Sequence, residues 1–131
     1  MATEAVTTRT MHIGELAERT ALSLRTIRHY DEVDLLRPSG RTEGGFRLYT
    51  ERDMERLLVI RRMKPLGFSL EEMREMLSIV DELGTHGPST PEHAALRFRL
   101  GKFIATAQEK REVLARQLDW ADEFIGLLEE Q

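Results

Sequence analysis

The sequence predicts a mainly α-helical protein that carries one small β-hairpin and ends in a long helix. Capped amphipathic segments with helical spacing cover most of residues 12–82, and a Gly-rich stretch interrupts them at residues 39–46. From residue 92 to about residue 129 no proline interrupts the helical pattern. The composition agrees, because 32 % charged and 6 % aromatic residues suit a helical protein with a modest core.

The 131 residues fit one domain, or one small domain with an appendage. We expect a flexible N-terminal arm over residues 1–10, a domain over residues 11–82, a polar connector over residues 83–91 and a long helix over residues 92–131. The arm lacks the apolar centre of a signal peptide, and no apolar run approaches membrane-spanning length. We therefore expect a cytoplasmic protein with no membrane partner.

Cysteine content and charge distribution narrow the possible partners. The chain has no cysteine, which excludes disulfides and thiolate metal sites, and we expect no cofactor. The formal net charge is −4, yet residues 19–64 hold eleven Lys and Arg against seven Asp and Glu. From residue 70 onward the balance is seven against thirteen. A local basic excess of this kind is typical of a nucleic-acid-binding surface.

The first two predicted helices cover residues 12–20 and about 24–33. The second helix starts after Ser23, its predicted N-cap, and carries Arg25, Arg28 and His29 away from its apolar face. Asp34 is expected to end this helix, because a short polar side chain tolerates the left-handed conformation.

A short β-hairpin follows the second helix. Glu43-Gly44-Gly45 is a turn signal between Arg41 and the alternating segment Phe46-Arg47-Leu48-Tyr49. Two strands alone are only marginally stable, so the hairpin must pack against the helices. A short helix with outward arginines beside a hairpin with more arginines is typical of a module that enters a DNA groove and contacts flanking phosphates. The alternative is an ordinary solvated basic face.

Two capping boxes predict two further helices. Thr50 with Asp53 opens the third helix, Ser69 with Glu72 opens the fourth, and Pro65 lies near the end of the third. Their predicted apolar faces consist of Met54, Leu57, Leu58 and Ile60 in the third helix and Leu70, Met73, Met76, Leu77 and Val80 in the fourth.

The long helix starts at the strong signal Thr90-Pro91-Glu92 and carries a heptad pattern. Eight of the nine seam positions are apolar, with Arg111 as the exception. A regular seam on one long helix implies a partner helix, and self-association supplies it most simply because the chain has no second long helix. The alternative is a helix folded back over its own domain. The predicted dimerisation residues are Leu100, Ile104, Ala107, Leu114, Leu118, Ala121, Ile125 and Leu128.

Other classes of function fit the sequence less well. An enzyme is not expected, because the sequence shows no Ser/His/Asp or Cys/His arrangement, no phosphate loop and no convergent set of acids. An RNA-binding module would need an aromatic platform that the chain lacks. A protein-binding adaptor that uses the long helix remains as the alternative function.

Several ordered motifs together resemble the MerR family of bacterial transcription regulators. The resemblance is dense over residues 12–77, and the long helix agrees only in kind. The matching segments are Ile13-Gly14-Glu15-Leu16-Ala17, Thr26-Ile27-Arg28-x-Tyr30, Leu35-Leu36-x-Pro38, Arg41-x-x-x-Gly45-Phe46-Arg47-x-Tyr49, Asp53 and Leu66-Gly67-Phe68-Ser69-Leu70-Glu71-Glu72.

The resemblance implies a winged helix-turn-helix domain and a homodimer joined by an antiparallel coiled coil of the long helices. It also implies a cytoplasmic, nucleoid-associated protein that binds inverted repeats in promoters. Such a dimer distorts the spacer DNA so that RNA polymerase, an indirect partner, engages both promoter elements. The DNA-binding residues that the resemblance implies are Ser23, Arg25, Thr26, Arg28, His29, Tyr30, Arg41, Phe46, Arg47 and Tyr49. Two of them have structural alternatives, since Tyr30 could lie in the core and Arg47 could pair with a neighbouring acid.

The chain departs from the family pattern at four positions. Phe46 stands where tyrosine is common, so a hydroxyl bond to phosphate is lost there. Ala21 and Asp34 stand at two turns where glycine is usual. Pro65 is uncommon near the end of the third helix, where we expect early termination or a kink.

The resemblance leaves the effector open. Metal-sensing and redox-sensing members use cysteines, which this chain lacks, and drug-sensing members carry a further C-terminal domain. His86 and His93 are candidate metal ligands, with plain surface residues as the alternative. Trp120 and Phe124 could line a site for a small apolar ligand, or could serve only in packing. We expect a regulator without a built-in sensor, or one whose signal is a partner protein.

Overall fold

The computed structural model describes residues 9–131 and contains five α-helices and three short strands in that range. The chain divides into two compact units between Arg62 and Met63. The predicted mainly α fold, its β-hairpin and its long final helix are confirmed. In chain order the elements are β1 (Thr10–His12), α1 (Ile13–Thr20), α2 (Leu24–Glu32), β2 (Gly40–Arg41), β3 (Arg47–Thr50), α3 (Glu51–Met63), a 3-10 turn (Lys64–Leu66), α4 (Leu70–Leu83) and α5 (Pro91–Glu129).

The first unit contains a three-stranded antiparallel sheet in the order β1-β3-β2. Strand β1 pairs Thr10 with Thr50, and β2 pairs Arg41 with Arg47. The sequence predicted the β2–β3 hairpin but not β1. Thr10 was assigned to the N-terminal arm, whose residues 1–8 lie outside the described residues. The third strand gives the hairpin the extra pairing that two short strands need for stability.

Two left-handed residues shape the ends of α1 and α2. Ala21 follows α1 with φ 58°, and Asp34 follows α2 with φ 59°. Helix α2 ends at Glu32, one residue earlier than predicted, and the left-handed Asp34 confirms the predicted turn. At the other end of α2 the Ser23 side chain accepts a hydrogen bond of 3.0 Å from the backbone N–H of Thr26, as predicted for its N-cap.

The core of the first unit joins α1, α2, α3 and β3. The hydroxyl of Thr20 donates to the carbonyl of Leu16 at 2.7 Å, and the carbonyl of Thr20 accepts from Nη1 of Arg61 at 2.6 Å. These bonds satisfy polar groups at the buried end of α1 and connect it to α3. The fully buried residues are Leu16, Thr20, Ile27, Leu36, Tyr49, Leu57 and Ile60.

The predicted capping box at the start of α3 is present. The N–H of Asp53 donates to Oγ1 of Thr50 at 3.1 Å, and the N–H of Thr50 donates to Oδ2 of Asp53 at 2.9 Å. The hydroxyl of Ser39 also donates to Asp53, so the same carboxylate anchors the loop before β2. Helix α3 ends at Met63 and Pro65 lies in the 3-10 turn, which confirms the expected early termination.

The second unit is built from the 3-10 turn, α4 and α5. Helix α4 opens with the predicted box, in which the N–H of Ser69 donates to Oε1 of Glu72 at 2.8 Å and the N–H of Glu72 donates to Oγ of Ser69 at 3.1 Å. One core assignment was wrong, because Val80 is 48 % exposed whereas Ile79 is fully buried. The core of this unit consists of Met63, Phe68, Met73, Leu77, Ile79 and Leu96.

Helix α5 contains 39 residues and is about 58 Å long. Its cap is the predicted one, since Oγ1 of Thr90 accepts from the N–H of His93 at 3.1 Å. Helix α4 packs against α5, and both belong to the second unit. Among the described residues, no helix is long and apolar enough to cross a membrane.

Candidate nucleic-acid interface

Helix α2 presents a basic face to solvent. Arg25, Arg28 and His29 are all exposed, as predicted. Arg25 and Arg28 lie three residues apart, which places them one above the other on the helix surface. Within residues 9–131, neither guanidinium forms an ion pair or hydrogen bond with another residue. Both side chains therefore keep their donors for an external partner.

The hydroxyls at the start of α2 are occupied within the protein. Oγ of Ser23 accepts the N–H of Thr26 and donates to Oγ1 of Thr26 at 2.9 Å. Both residues had been assigned to the DNA-binding set through the family resemblance. Their hydrogen bonds to each other indicate that their first role is to fix the N-terminus of α2.

Two tyrosines of the predicted DNA-binding set are buried in the core. Tyr30 is 2 % exposed and Tyr49 is fully buried. Burial raises the pKa of both phenols above their ordinary value. Among the described residues, the buried hydroxyl of Tyr49 has no hydrogen-bond partner. The central strand β3 directs Tyr49 into the core, so this side chain differs from the prediction and does not reach the surface.

One carboxylate connects α2 to the β-hairpin. This hairpin, which we call the wing, consists of β2, the turn at residues 42–46 and β3. Oδ2 of Asp31 accepts hydrogen bonds from Nε of Arg47 at 2.7 Å and from Nη2 of Arg41 at 3.3 Å. Asp31 is only 8 % exposed, and its hydrogen bond raises the pKa of Arg47. Arg47 thus has the acidic partner that the structural alternative had named.

The contact of Asp31 with the wing arginines was not predicted from the sequence, although the position of Asp31 on α2 indicates it. Asp31 lies four residues after Ile27 and therefore on the same face of α2, which is the face that packs into the core. A charged residue at an apolar position of an amphipathic helix requires a charged partner when it is buried. That requirement would have pointed to the arginines that follow in the wing.

The tip of the wing is a hydrogen-bonded turn with an exposed aromatic side chain. The N–H of Thr42 donates to the carbonyl of Phe46, and the N–H of Gly45 donates to the carbonyl of Thr42, both at 2.9 Å. Gly45 has φ 85°, a conformation that favours glycine. Nη1 of Arg41 donates to the carbonyl of Gly45 at 3.1 Å, and Phe46 is 69 % exposed. The turn therefore fixes Arg41 and presents Phe46 to solvent.

The predicted dimerisation residues form an apolar seam on α5, most of which is exposed in the described structure. The five large exposed residues of the seam have exposed fractions between 41 and 64 %, and Leu100 and Ala107 are half-buried. Trp120 and Phe124 beside the seam are also exposed. The five large exposed seam residues are Ile104, Leu114, Leu118, Ile125 and Leu128.

No cluster of metal-ligating side chains is found in the described part of the chain. Within residues 9–131, no three His, Asp or Glu side chains are grouped so that they could hold an ion.

Two sequence-family models and several known proteins match this chain. A family model described as "MerR HTH family regulatory protein" matches residues 11–79, and one described as "MerR, DNA binding" matches residues 54–123. The HTH-type transcriptional regulator ZntR of Escherichia coli K12 is 54 % identical over 67 residues, which are 51 % of this chain and 48 % of ZntR. The chain spans about half the length of the first curated relatives that it matches, ZntR among them.

Two further matches cover most of the chain. The HTH-type transcriptional regulator CueR of Yersinia pestis is 31 % identical over 116 residues, which are 88 % of this chain and 82 % of CueR. The crystal structure of MtaN, the N-terminus of the Bacillus subtilis multidrug transporter activator, superposes with a TM-score of 0.56 at 32 % identity, over 92 % of this chain and 95 % of MtaN. Each family model matches more than half of the chain, so the predicted resemblance is confirmed and the chain belongs to the MerR family of helix-turn-helix regulatory proteins.

Proposed function

We propose that this chain is a sequence-specific DNA-binding regulator of transcription that reads base edges with α2 and contacts phosphates with the wing. The observation that carries the proposal is the connection between the two basic elements. Exposed Arg25 and Arg28 lie on a helix whose last turn is joined through Asp31 to Arg41 and Arg47 of the wing. A helix and a wing held together in this way present base-reading and phosphate-binding donors as one surface.

The chemistry of the exposed side chains supports this division of roles. An arginine can donate two parallel hydrogen bonds to O6 and N7 of guanine in the major groove, and Arg25 and Arg28 have no competing partner within the described residues. Arg41 is about half exposed and is fixed by the wing turn, which suits contact with a backbone phosphate. His29 and Phe46 are further exposed contacts on the same two elements.

The proposed functional form is a homodimer held by an antiparallel coiled coil of two α5 helices. Its support is the uncovered seam, because an extended apolar stripe on a soluble protein requires a partner surface. A two-fold dimer would bind an inverted repeat and would hold two basic surfaces at a fixed separation. We propose that promoter DNA bends and untwists to satisfy both, and that RNA polymerase responds to the altered spacer. This activity would place the protein at the nucleoid.

Selection of duplexes from random DNA, followed by binding measurements over a range of salt, tests the proposal. We expect an enriched inverted repeat and an affinity that falls steeply as salt rises, because phosphate contacts release counterions. Absence of binding to any duplex at low salt would refute the proposal. A salt-insensitive protein partner on α5, without DNA affinity, would instead support the adaptor function.

A further inference from the structure

A single buried carboxylate serves both arginines of the wing. Oδ2 of Asp31 is the shared acceptor for Nε of Arg47 at 2.7 Å and Nη2 of Arg41 at 3.3 Å. The Asp31 side chain is 11 % exposed, whereas the Arg47 side chain is 24 % and the Arg41 side chain is 48 % exposed. The carboxylate is thus the most buried of the three charged groups, and Arg41 is the most exposed.

This carboxylate occupies donors that a DNA phosphate would otherwise use. Carboxylate and phosphate oxygens accept the same charge-assisted hydrogen bonds from arginine. The negative charge of Asp31 also halves the net charge that Arg41 and Arg47 together present to DNA, from two positive charges to one. Asp31 cannot simply be displaced by a phosphate, because a buried carboxylate that loses its partners is strongly destabilised.

The same contacts restrict where the two arginines can lie. Free arginine side chains adapt to phosphates in many registers, which is how non-specific complexes gain their affinity. Here both guanidinium groups are fixed to the last turn of α2, the helix that carries Arg25 and Arg28. The wing arginines can therefore reach phosphates best when α2 is seated in one position in the groove.

Building on the proposed function, we infer that Asp31 is a specificity-determining residue. It weakens the binding of Arg41 and Arg47 to phosphates of arbitrary DNA, and it positions both arginines for the register in which α2 contacts the correct bases. Its effect is therefore larger on non-cognate DNA than on the operator.

The test compares Asp31→Asn with the matched control Asp34→Asn. Asp34 also lies at the end of α2 and pairs with an arginine, Arg37, but this pair is exposed. Both variants remove one negative charge, and asparagine tolerates the left-handed conformation of residue 34. The probes are the duplex that the wild-type protein selects from random DNA and a scrambled duplex of the same length.

We expect Asp31→Asn to bind the scrambled duplex several-fold more tightly than the control and to steepen its salt slope by up to about 0.9, the value for one additional phosphate contact. The ratio of operator to scrambled affinity should fall, whereas Asp34→Asn should keep the wild-type ratio. An Asp31→Asn protein with the scrambled affinity and slope of Asp34→Asn would overturn the inference. A wild-type protein that binds neither duplex would refute the proposed function instead.

Asp31→Glu separates the effect of the carboxylate's charge from the effect of its position. It also replaces Asp31→Asn as the test variant if that protein does not fold. Glutamate keeps the charge but moves the carboxylate outward by one methylene. We expect scrambled-duplex affinity at the wild-type level and a several-fold loss of operator affinity. Unchanged operator affinity would overturn the positioning role of Asp31. Thermal unfolding of each variant confirms that the compared proteins are folded.

Discussion

Oδ2 of Asp31 lies 2.7 Å from Nε of Arg47, and this ion pair joins the last turn of α2 to the central strand β3. The two residues are sixteen positions apart in the sequence. Because both side chains are mostly buried, solvent screens their interaction much less than it screens a surface pair. The pair thereby holds the short β2–β3 hairpin against the helix with which it would bind DNA.

Arg28→Ala should reduce discrimination without loss of the fold. Arg28 is exposed and has no partner among the described residues, so its removal leaves no buried group unsatisfied. If it contacts a base, the difference in binding free energy between operator and scrambled duplex should fall by about 1–3 kcal/mol. Fluorescence anisotropy with both duplexes measures this difference. Arg62→Ala, at an exposed arginine of α3, is the control, and equal effects of the two variants would contradict a base-reading role.

Leu118→Asp should convert a dimer into monomers. Leu118 is 64 % exposed in the isolated chain and lies in the predicted seam of α5. An aspartate there would place a charge in the apolar interface, where burial of an unpaired charge is unfavourable. Sedimentation equilibrium measures the mass. The control Arg116→Asp introduces an aspartate on the opposite face of the helix and should leave the dimer intact. A Leu118→Asp protein that remains dimeric would contradict the coiled coil.

The capping box of α4 should make stability depend on pH through Glu72. The backbone N–H of Ser69 donates to Glu72 and lowers the pKa of its carboxylate below the ordinary value. The stabilisation is therefore fully present above the ordinary pKa of glutamate, about 4.3, and is lost as the pH falls through the lower pKa of the folded state. Thermal unfolding should show that Glu72→Gln lowers the Tm most at neutral pH, with a difference that shrinks in acid. A constant difference from pH 7 to pH 3, or an equal effect of Glu71→Gln, would contradict this assignment.

Ala21→Gly should stabilise the turn between α1 and α2. Ala21 has φ 58°, a conformation that is unfavourable for a residue with a Cβ atom. Glycine relieves this strain but loses more conformational entropy on folding, so the net gain should be at most about 1 kcal/mol. Chemical denaturation measures the change. Ala17→Gly, inside α1, should instead destabilise by about 1 kcal/mol, and destabilisation by both variants would show that Ala21 is not strained.

The features that the sequence predicted are those determined by neighbours along the chain. Thr50 with Asp53 and Ser69 with Glu72 interact over three residues, so their helix starts could be located from residue type and spacing alone. The left-handed Asp34 could be predicted for the same reason. The basic face of α2 followed from helical periodicity, which also depends only on local spacing.

The features that the sequence did not predict depend on tertiary contacts. Strand β1 has three residues, too few for a pattern, and exists because β3 has a free edge to pair with. Tyr49 entered the DNA-binding set through the family resemblance, and alternation in β3 indicates two faces without saying which one packs inward, so its burial was not predicted. The sequence placed Val80 instead of Ile79 in the core for a similar reason, because packing against α5 selects the buried face of α4.

The ring of Tyr49 fills the core, as the ring of a phenylalanine would, but its buried hydroxyl forms no hydrogen bond within the described residues. A hydroxyl that is sealed from water and has no partner within the described residues opposes folding, so Tyr49→Phe should leave the free energy of unfolding unchanged or raise it by up to about 1 kcal/mol. Tyr49→Ala, which also removes the ring, should lower it by about 3–5 kcal/mol. Denaturant titrations separate the two cases, and DNA affinity should survive the loss of the oxygen. Tyr49 would then contribute to the protein only by packing in the core beneath the sheet. The phosphate contacts of the wing would depend on Arg41 and Arg47 alone.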